Sequence, residues 1–124
     1  MNIVDSSGWL EYFSDGPNAE NFASPLQDPD SLIVPVITIY EVFKVVLRER
    51  GENEALQAVA AMQKGTTIDL TTPIAMRASK LSLQNSLPMA DSLILATAYV
   101  YECLIWTQDI DFEDLPNVKY FPKK

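Results

Sequence analysis

Hydrophobic positions along the chain follow two rhythms. Short apolar runs at Met1 to Val4, Leu32 to Val34, Thr66 to Leu70, Leu104 to Thr107 and Val118 to Phe121 read as buried strands. The stretches between them carry helical spacing. Ile39, Val42, Phe43, Val46 and Leu47 fall on one face of a helix from about Ile39 to Arg50, ended by Gly51, and Thr72-Pro73 opens another that runs to about Asn85. Further helices are expected at Trp9 to Phe13 with Ser6 or Ser7 near the cap, at about Ala19 to Ser24 with Pro25 as the stop, and at Glu54 to Lys64. Asp15-Gly16-Pro17-Asn18 and Asp28-Pro29-Asp30 read as turns. Strands alternating with helices predict an α/β fold, a mainly parallel sheet with helices on both faces. The 124 residues contain no repeat, linker or low-complexity segment, so a single domain over residues 1–124 is expected.

One helix breaks the amphipathic pattern. From Met89 to Tyr101 only Asp91, Ser92 and Thr97 are clearly polar, so this element belongs in the interior. A carboxylate in its first turn is then costly without a partner. Asp91 either caps the helix or serves a site, and the helix alone does not decide between them.

Composition narrows the chemistry. The chain has no histidine, which removes Ser-His-Asp and Cys-His catalysis, histidine bases and histidine-ligated metals. Cys103 is alone, so it has no internal disulfide and no zinc-ligand spacing, and it reads as a buried thiol. The net charge of −8 and the lack of a basic run argue against direct sequence-specific DNA binding. They leave open an enzyme that meets nucleic acid through bound cations. Asp5 interrupts the N-terminus before any signal-like apolar region, and Leu93 to Tyr101 is too short to cross a bilayer. A cytoplasmic protein without membrane contact is expected.

In open α/β sheets ligands sit beyond the carboxyl ends of the strands. Asp5 follows the first strand, Asp109 and Asp111 follow Leu104 to Thr107, Asp91 opens the buried helix, and Glu41 lies near the start of the helix after the second strand. Each also has a purely structural account. Asp5 suits a helix cap; Thr38 to Glu41 spells a capping box, and Glu41 points off the apolar face toward Lys44; Asp109 and Asp111 suit a turn. Gathered in one cleft, such carboxylates raise each other's pKa unless a cation neutralises them, and oxygen-only ligation selects Mg²⁺ or Mn²⁺. Such ions activate water for attack on a phosphoryl group.

Ile3 to Ser7, Thr38 to Val42, Met89 to Ala98, Trp106 to Phe112 and Leu115 to Val118, in this order, make the chain resemble PIN-domain ribonucleases, and most closely the VapC-type toxins of toxin–antitoxin pairs. The resemblance covers nearly the whole chain. It implies a three-layer α/β/α sandwich and an Mg²⁺- or Mn²⁺-dependent endoribonuclease. It implies Asp5, Glu41, Asp91 and Asp109 as the catalytic acids, with Asp5, Asp91 and Asp109 holding the metal and Glu41 acting through water. Ser7, Thr107 and Asp111 would support them. It also implies a homodimer, an RNA substrate and a VapB-type antitoxin that fills the active site and an adjoining apolar groove. Trp9, Tyr12, Phe13, Tyr40 and Phe43 are either that groove or core, and Arg48, Arg77 and Lys80 either phosphate contacts or solvated positions.

Two other readings compete with this one. A receiver-type Mg²⁺-binding signalling domain needs an acidic pair after the first strand and a phospho-accepting Asp after the third. Here Asp5 is followed by Ser6-Ser7, although Asp69 stands at the end of the third strand. The other rival is a catalytically silent PIN-like binding module.

Overall fold

A computed structural model describes residues 1–124. Five parallel strands form its centre: β1 (Asn2–Val4), β2 (Ile33–Pro35), β3 (Thr66–Ile68), β4 (Leu104–Thr107) and β5 (Val118–Tyr120). Strand β4 lies between β1 and β5, with Ile3 opposite Ile105 and Trp106 opposite Lys119. Strands β2 and β3 pair separately, and a lone parallel bridge from Asn2 to Leu32 joins the two halves. The order across the sheet is therefore β3-β2-β1-β4-β5. The chain winds outward from β1 to β3 and then returns to the other side of β1. The crevice at such a reversal, between the carboxyl ends of β1 and β4, is where open α/β sheets bind ligands. This order also sets Asp69, just past β3, two strands from β1, unlike a receiver fold, whose third strand adjoins its first.

Helices cover both faces. On one side lie α1 (Ser6–Phe13), α2 (Ala19–Leu26), α3 (Val36–Arg50) and α4 (Glu52–Met62); on the other lie α5 (Thr72–Asn85) and α6 (Met89–Tyr101). Period-two alternation in the strands builds the two cores. Ile3, Ile33 and Ile105 meet Ile74 and Leu81 of α5 and Leu93 to Ala98 of α6. Val4, Leu32 and Val34 face the other way, onto Trp9, Phe22, Val42, Ala58 and Met62. The fold is the three-layer α/β/α sandwich expected. No helix is long and apolar enough to cross a membrane.

Helix α6 explains its own composition. All eight residues from Asp91 to Ala98 are buried. The Ser92 and Thr97 hydroxyls donate to the Met89 and Leu93 carbonyls at 2.7 and 2.8 Å, satisfying them within the helix. Cys103 is buried as expected, and burial raises its thiol pKa.

Several boundaries differ from the pattern-based expectation. Asp5, not Ser6 or Ser7, occupies the N-cap of α1, and the two serines are its first helical residues. Helix α2 runs through Pro25 to Leu26, since the proline is buried within the last turn and that turn still closes, the Gln27 N–H donating to the Ala23 carbonyl at 2.9 Å. Helix α3 starts at Val36, directly after Pro35, whose φ of −61° already suits a helix entrance. Thr38 is therefore inside the first turn, where its buried hydroxyl donates to the Pro35 carbonyl at 2.6 Å, and the expected capping box with Glu41 does not form. Gly51 separates α3 from α4 at φ 91°, a left-handed conformation glycine adopts without Cβ strain.

Candidate metal centre

Asp5 leaves β1 at the crevice. Its backbone N–H donates to the Trp106 carbonyl at 3.1 Å, so the residue is held at the seam between β1 and β4. Its carboxylate, 3% exposed, accepts from the Ser7 hydroxyl at 2.8 Å and from the Gly8 N–H at 3.2 Å. The capping role is thus real. Burial raises its pKa from 3.8 to about 6, against the lowering effect of hydrogen bonds from Ser7, Gly8 and Thr107, with Asp109 adding repulsion. Gly8 lets α1 approach: a Cβ there would lie 2.6 Å from Val4 and 2.8 Å from Phe22.

Asp91 enters from the opposite layer. Pro88 stands at the N-cap of α6, so Asp91 lies within the first turn and is not the capping residue. Burial raises its pKa to about 8, and Asp109, Asp5, Asp111 and Glu41 push in the same direction. One buried carboxylate thus carries the repulsion of four other acids.

Asp109 follows β4. Its N–H donates to the Thr107 hydroxyl at 2.9 Å, and its carboxylate accepts from the Asp111 N–H at 2.9 Å, capping a single 3-10 turn at Ile110–Phe112. That turn brings Asp111 back over the crevice. Carboxylate oxygens of Asp91, Asp109 and Asp111 all lie within 4.8 Å of one another. Asp111 therefore belongs to the tightest group, whereas Asp5, expected among the metal ligands, lies outside it. Glu41, half-buried on α3, accepts from the Ser6 hydroxyl at 2.5 Å. Pattern alone made Glu41 solvated and Ser6 commonplace; their pairing across 35 positions had no sequence signal beyond the hydroxyl next to Asp5.

The donor set fits a hard divalent cation. It offers only carboxylate and hydroxyl oxygens, and the chain's two ion pairs, Arg48–Glu49 and Arg50–Glu54, involve none of these acids. The basic residues considered for phosphate contact are engaged or exposed elsewhere. Arg48 pairs with Glu49, Arg77 stacks 5.3 Å over the Tyr99 ring, and Lys80 is exposed on α5. The aromatics divide as well. Trp9 is buried in the core and Tyr12 and Phe13 pack on it, whereas Tyr40, 60% exposed, and Phe43 line an open groove with Val36, Ile39 and Leu47.

The PIN-domain pattern matches residues 3–118. Among solved structures, the fold superposes on a toxin–antitoxin complex from Klebsiella pneumoniae with a TM-score of 0.83, 22% identity and coverage of 98% of this chain and 99% of that one. It superposes on VapC20 of Mycobacterium tuberculosis, a sarcin-ricin-loop-cleaving toxin, at 0.79, with 14% identity over 94% and 95% of the chains. A DNA-bound VapBC complex from Salmonella typhimurium gives 0.75, 13% identity and 98% coverage of both chains. Among curated proteins no sequence matches.

Proposed function

The chain belongs to the PIN-domain family, and from that premise we propose that residues 1–124 form one catalytic domain, a metal-dependent endoribonuclease serving as the toxin of a cytoplasmic toxin–antitoxin pair. The carrying observation is the cluster of Asp91, Asp109 and Asp111 at the sheet's reversal point, their carboxylate oxygens within 4.8 Å of one another, with Asp5 and Glu41 adding to the repulsion that raises Asp91 to about 8. Such a concentration of negative charge is unfavourable by itself and calls for a cation. Asp91, Asp109 and Asp111 would hold Mg²⁺ or Mn²⁺, with Asp5 at the seam as a further ligand. When bound, the ion supplies water activation and charge neutralisation at the scissile phosphate.

The protein's own groups prepare that chemistry. The Ser7 hydroxyl fixes the rotamer of Asp5, and Asp109 is locked by its cap on the 3-10 turn. Ser6 orients Glu41, a half-buried acid able to accept a proton from a nucleophilic water. Tyr40 and Phe43 on the outer face of α3 offer an apolar groove suited to a VapB-type antitoxin, and we extend the reading to a homodimer on the family's pattern. Toxin–antitoxin assemblies among the structural neighbours support this partner class.

Antitoxin-free protein should cleave RNA in Mg²⁺ or Mn²⁺, and EDTA or Asp91→Asn should abolish cleavage. An Asp91→Asn protein that cuts normally would sink the site assignment. Growth arrest on expression, relieved by Asp5→Asn, tests the toxin role separately.

A further inference from the structure

Asn18 holds a position it does not use in the ordinary way. It stands at the N-cap of α2, where an asparagine side chain normally accepts a backbone N–H, yet it makes no such bond. Its side chain is instead wholly buried. The amide nitrogen donates to Gln108 Oε1 at 3.0 Å and to the Pro122 carbonyl at 2.9 Å, and Oδ1 accepts from Asn21 at 3.1 Å. A buried amide satisfied this fully fixes what it touches.

What it touches leads to the acids. Gln108, 8% exposed, lies between Thr107 and Asp109 just past β4. Its side-chain nitrogen donates to the Ser7 carbonyl at 3.4 Å, and its backbone N–H donates to the Ser7 hydroxyl at 3.3 Å. That hydroxyl has one proton to give. With an acceptor site engaged by Gln108, the proton goes to Asp5 at 2.8 Å. The run Asn18–Gln108–Ser7–Asp5 thus spans α2, the end of β4, α1 and the end of β1. It also ties down the C-terminal segment, whose Phe121 N–H reaches the Thr107 carbonyl at 2.9 Å.

We propose that Asn18 and Gln108 are positioning residues of the acidic site: a buried amide clamp that holds the Asp5 end of β1 in fixed register with the Asp109 end of β4. Neither touches substrate or metal. Ligand residues supported this way lose about 10- to 100-fold in metal affinity when the support is removed. Small misplacements of reacting groups likewise lower turnover more than binding.

Asn18→Leu leaves the Pro122 carbonyl and Asn21 without partners and endangers the fold, so Gln108→Met, similar in length and lacking both side-chain bonds, carries the test. Three quantities are compared with wild type: hydrogen exchange at the Gly8 and Gln108 amides, Mn²⁺ affinity of the RNA-free protein by electron paramagnetic resonance, and kcat and KM for RNA cleavage. The expected result is exchange about tenfold faster at those amides with Val42 in the core unchanged, Mn²⁺ binding about tenfold weaker, and kcat down about tenfold with KM within about twofold. A folded Gln108→Met protein with wild-type exchange at Gly8 and Gln108 overturns the clamp, as does unchanged Mn²⁺ affinity where wild type binds the ion. The kinetic and metal arms rest on the nuclease reading. If wild type neither binds Mn²⁺ nor cuts RNA, that reading falls and the exchange comparison alone decides the clamp.

Discussion

Raising the pH should destabilise the metal-free protein through the very carboxylates that form its site. In the unfolded chain Asp91 ionises near 3.8; in the folded protein it does so at about 8. Between those values the folded state binds a proton that the unfolded state does not, so stability falls as pH rises. The contribution is fully present below about pH 4, and the loss is complete above about pH 8. From pH 5 to pH 7, Asp91 alone removes about 2.5 kcal/mol at 1.36 kcal/mol per pKa unit. Asp5, with its value at about 6, removes roughly 1 kcal/mol more over the same interval. That is a large share of the 5–15 kcal/mol typical of a domain. Urea unfolding in EDTA at the two pH values measures it through the midpoint at constant slope. Asp91→Asn should abolish most of the pH dependence and leave the variant about 3–4 kcal/mol more stable than wild type at pH 7. Saturating Mn²⁺ should restore the wild type, by about 2.7 kcal/mol at a hundred times its dissociation constant. A wild-type stability that stays flat or rises from pH 5 to pH 7 in EDTA refutes the reasoning, and so does an Asp91→Asn protein with the wild-type slope.

Other perturbations separate the site from its scaffold. Gly8→Ala forces a Cβ to within 2.6 Å of Val4 and moves the N–H that the Asp5 carboxylate caps; it should cost about 1–3 kcal/mol, visible as a lower Tm. Phe22→Ala empties a fully buried position beneath α1 and should cost about 3–5 kcal/mol in urea unfolding. Ser6→Ala frees the half-buried Glu41 carboxylate and should slow RNA cleavage about tenfold while stability changes by about 1 kcal/mol, as unfolding and single-turnover assays would show. Tyr40→Asp places a charge in the apolar groove on α3; antitoxin co-purification should be lost while cleavage by the free toxin persists.

The sheet and its layers were legible because they rest on periodicity. Ile3 and Val4, or Ile33 and Val34, must face opposite ways in any strand, and the two cores follow from that. The boundaries were less legible where a single residue decides them. Pro35 let α3 begin at Val36, so the capping-box spelling of Thr38 and Glu41 described a helix start that lies elsewhere. The site was legible at strand ends, where sequence order places Asp5 and Asp109. It was illegible where contacts join distant positions. Ser6 with Glu41, and Asn18 with Gln108, pair across 35 and 90 residues, and hydroxyl and amide side chains carry no periodicity to announce such pairing.

Asp5 shows why the structural and functional accounts of these acids do not compete. A capping carboxylate must lie at a helix N-terminus, and in this fold α1 starts directly at the reversal point of the sheet. The cap therefore fixes the acid beside the ligand crevice, and the same hydrogen bonds from Ser7 and Gly8 lower a pKa that burial raises. Asp109 repeats the arrangement with its 3-10 turn, which is what turns Asp111 toward Asp91. Asp91 is the exception. It caps nothing and accepts no hydrogen bond from the Ser92 or Thr97 hydroxyls, which are spent inside α6. Its burial among four acids opposes its ionisation in the apo fold. The carboxylate whose charge the fold opposes most is thus the one that most strongly requires a cation, and Asp91 is the position at which replacing the charge should exchange function for stability.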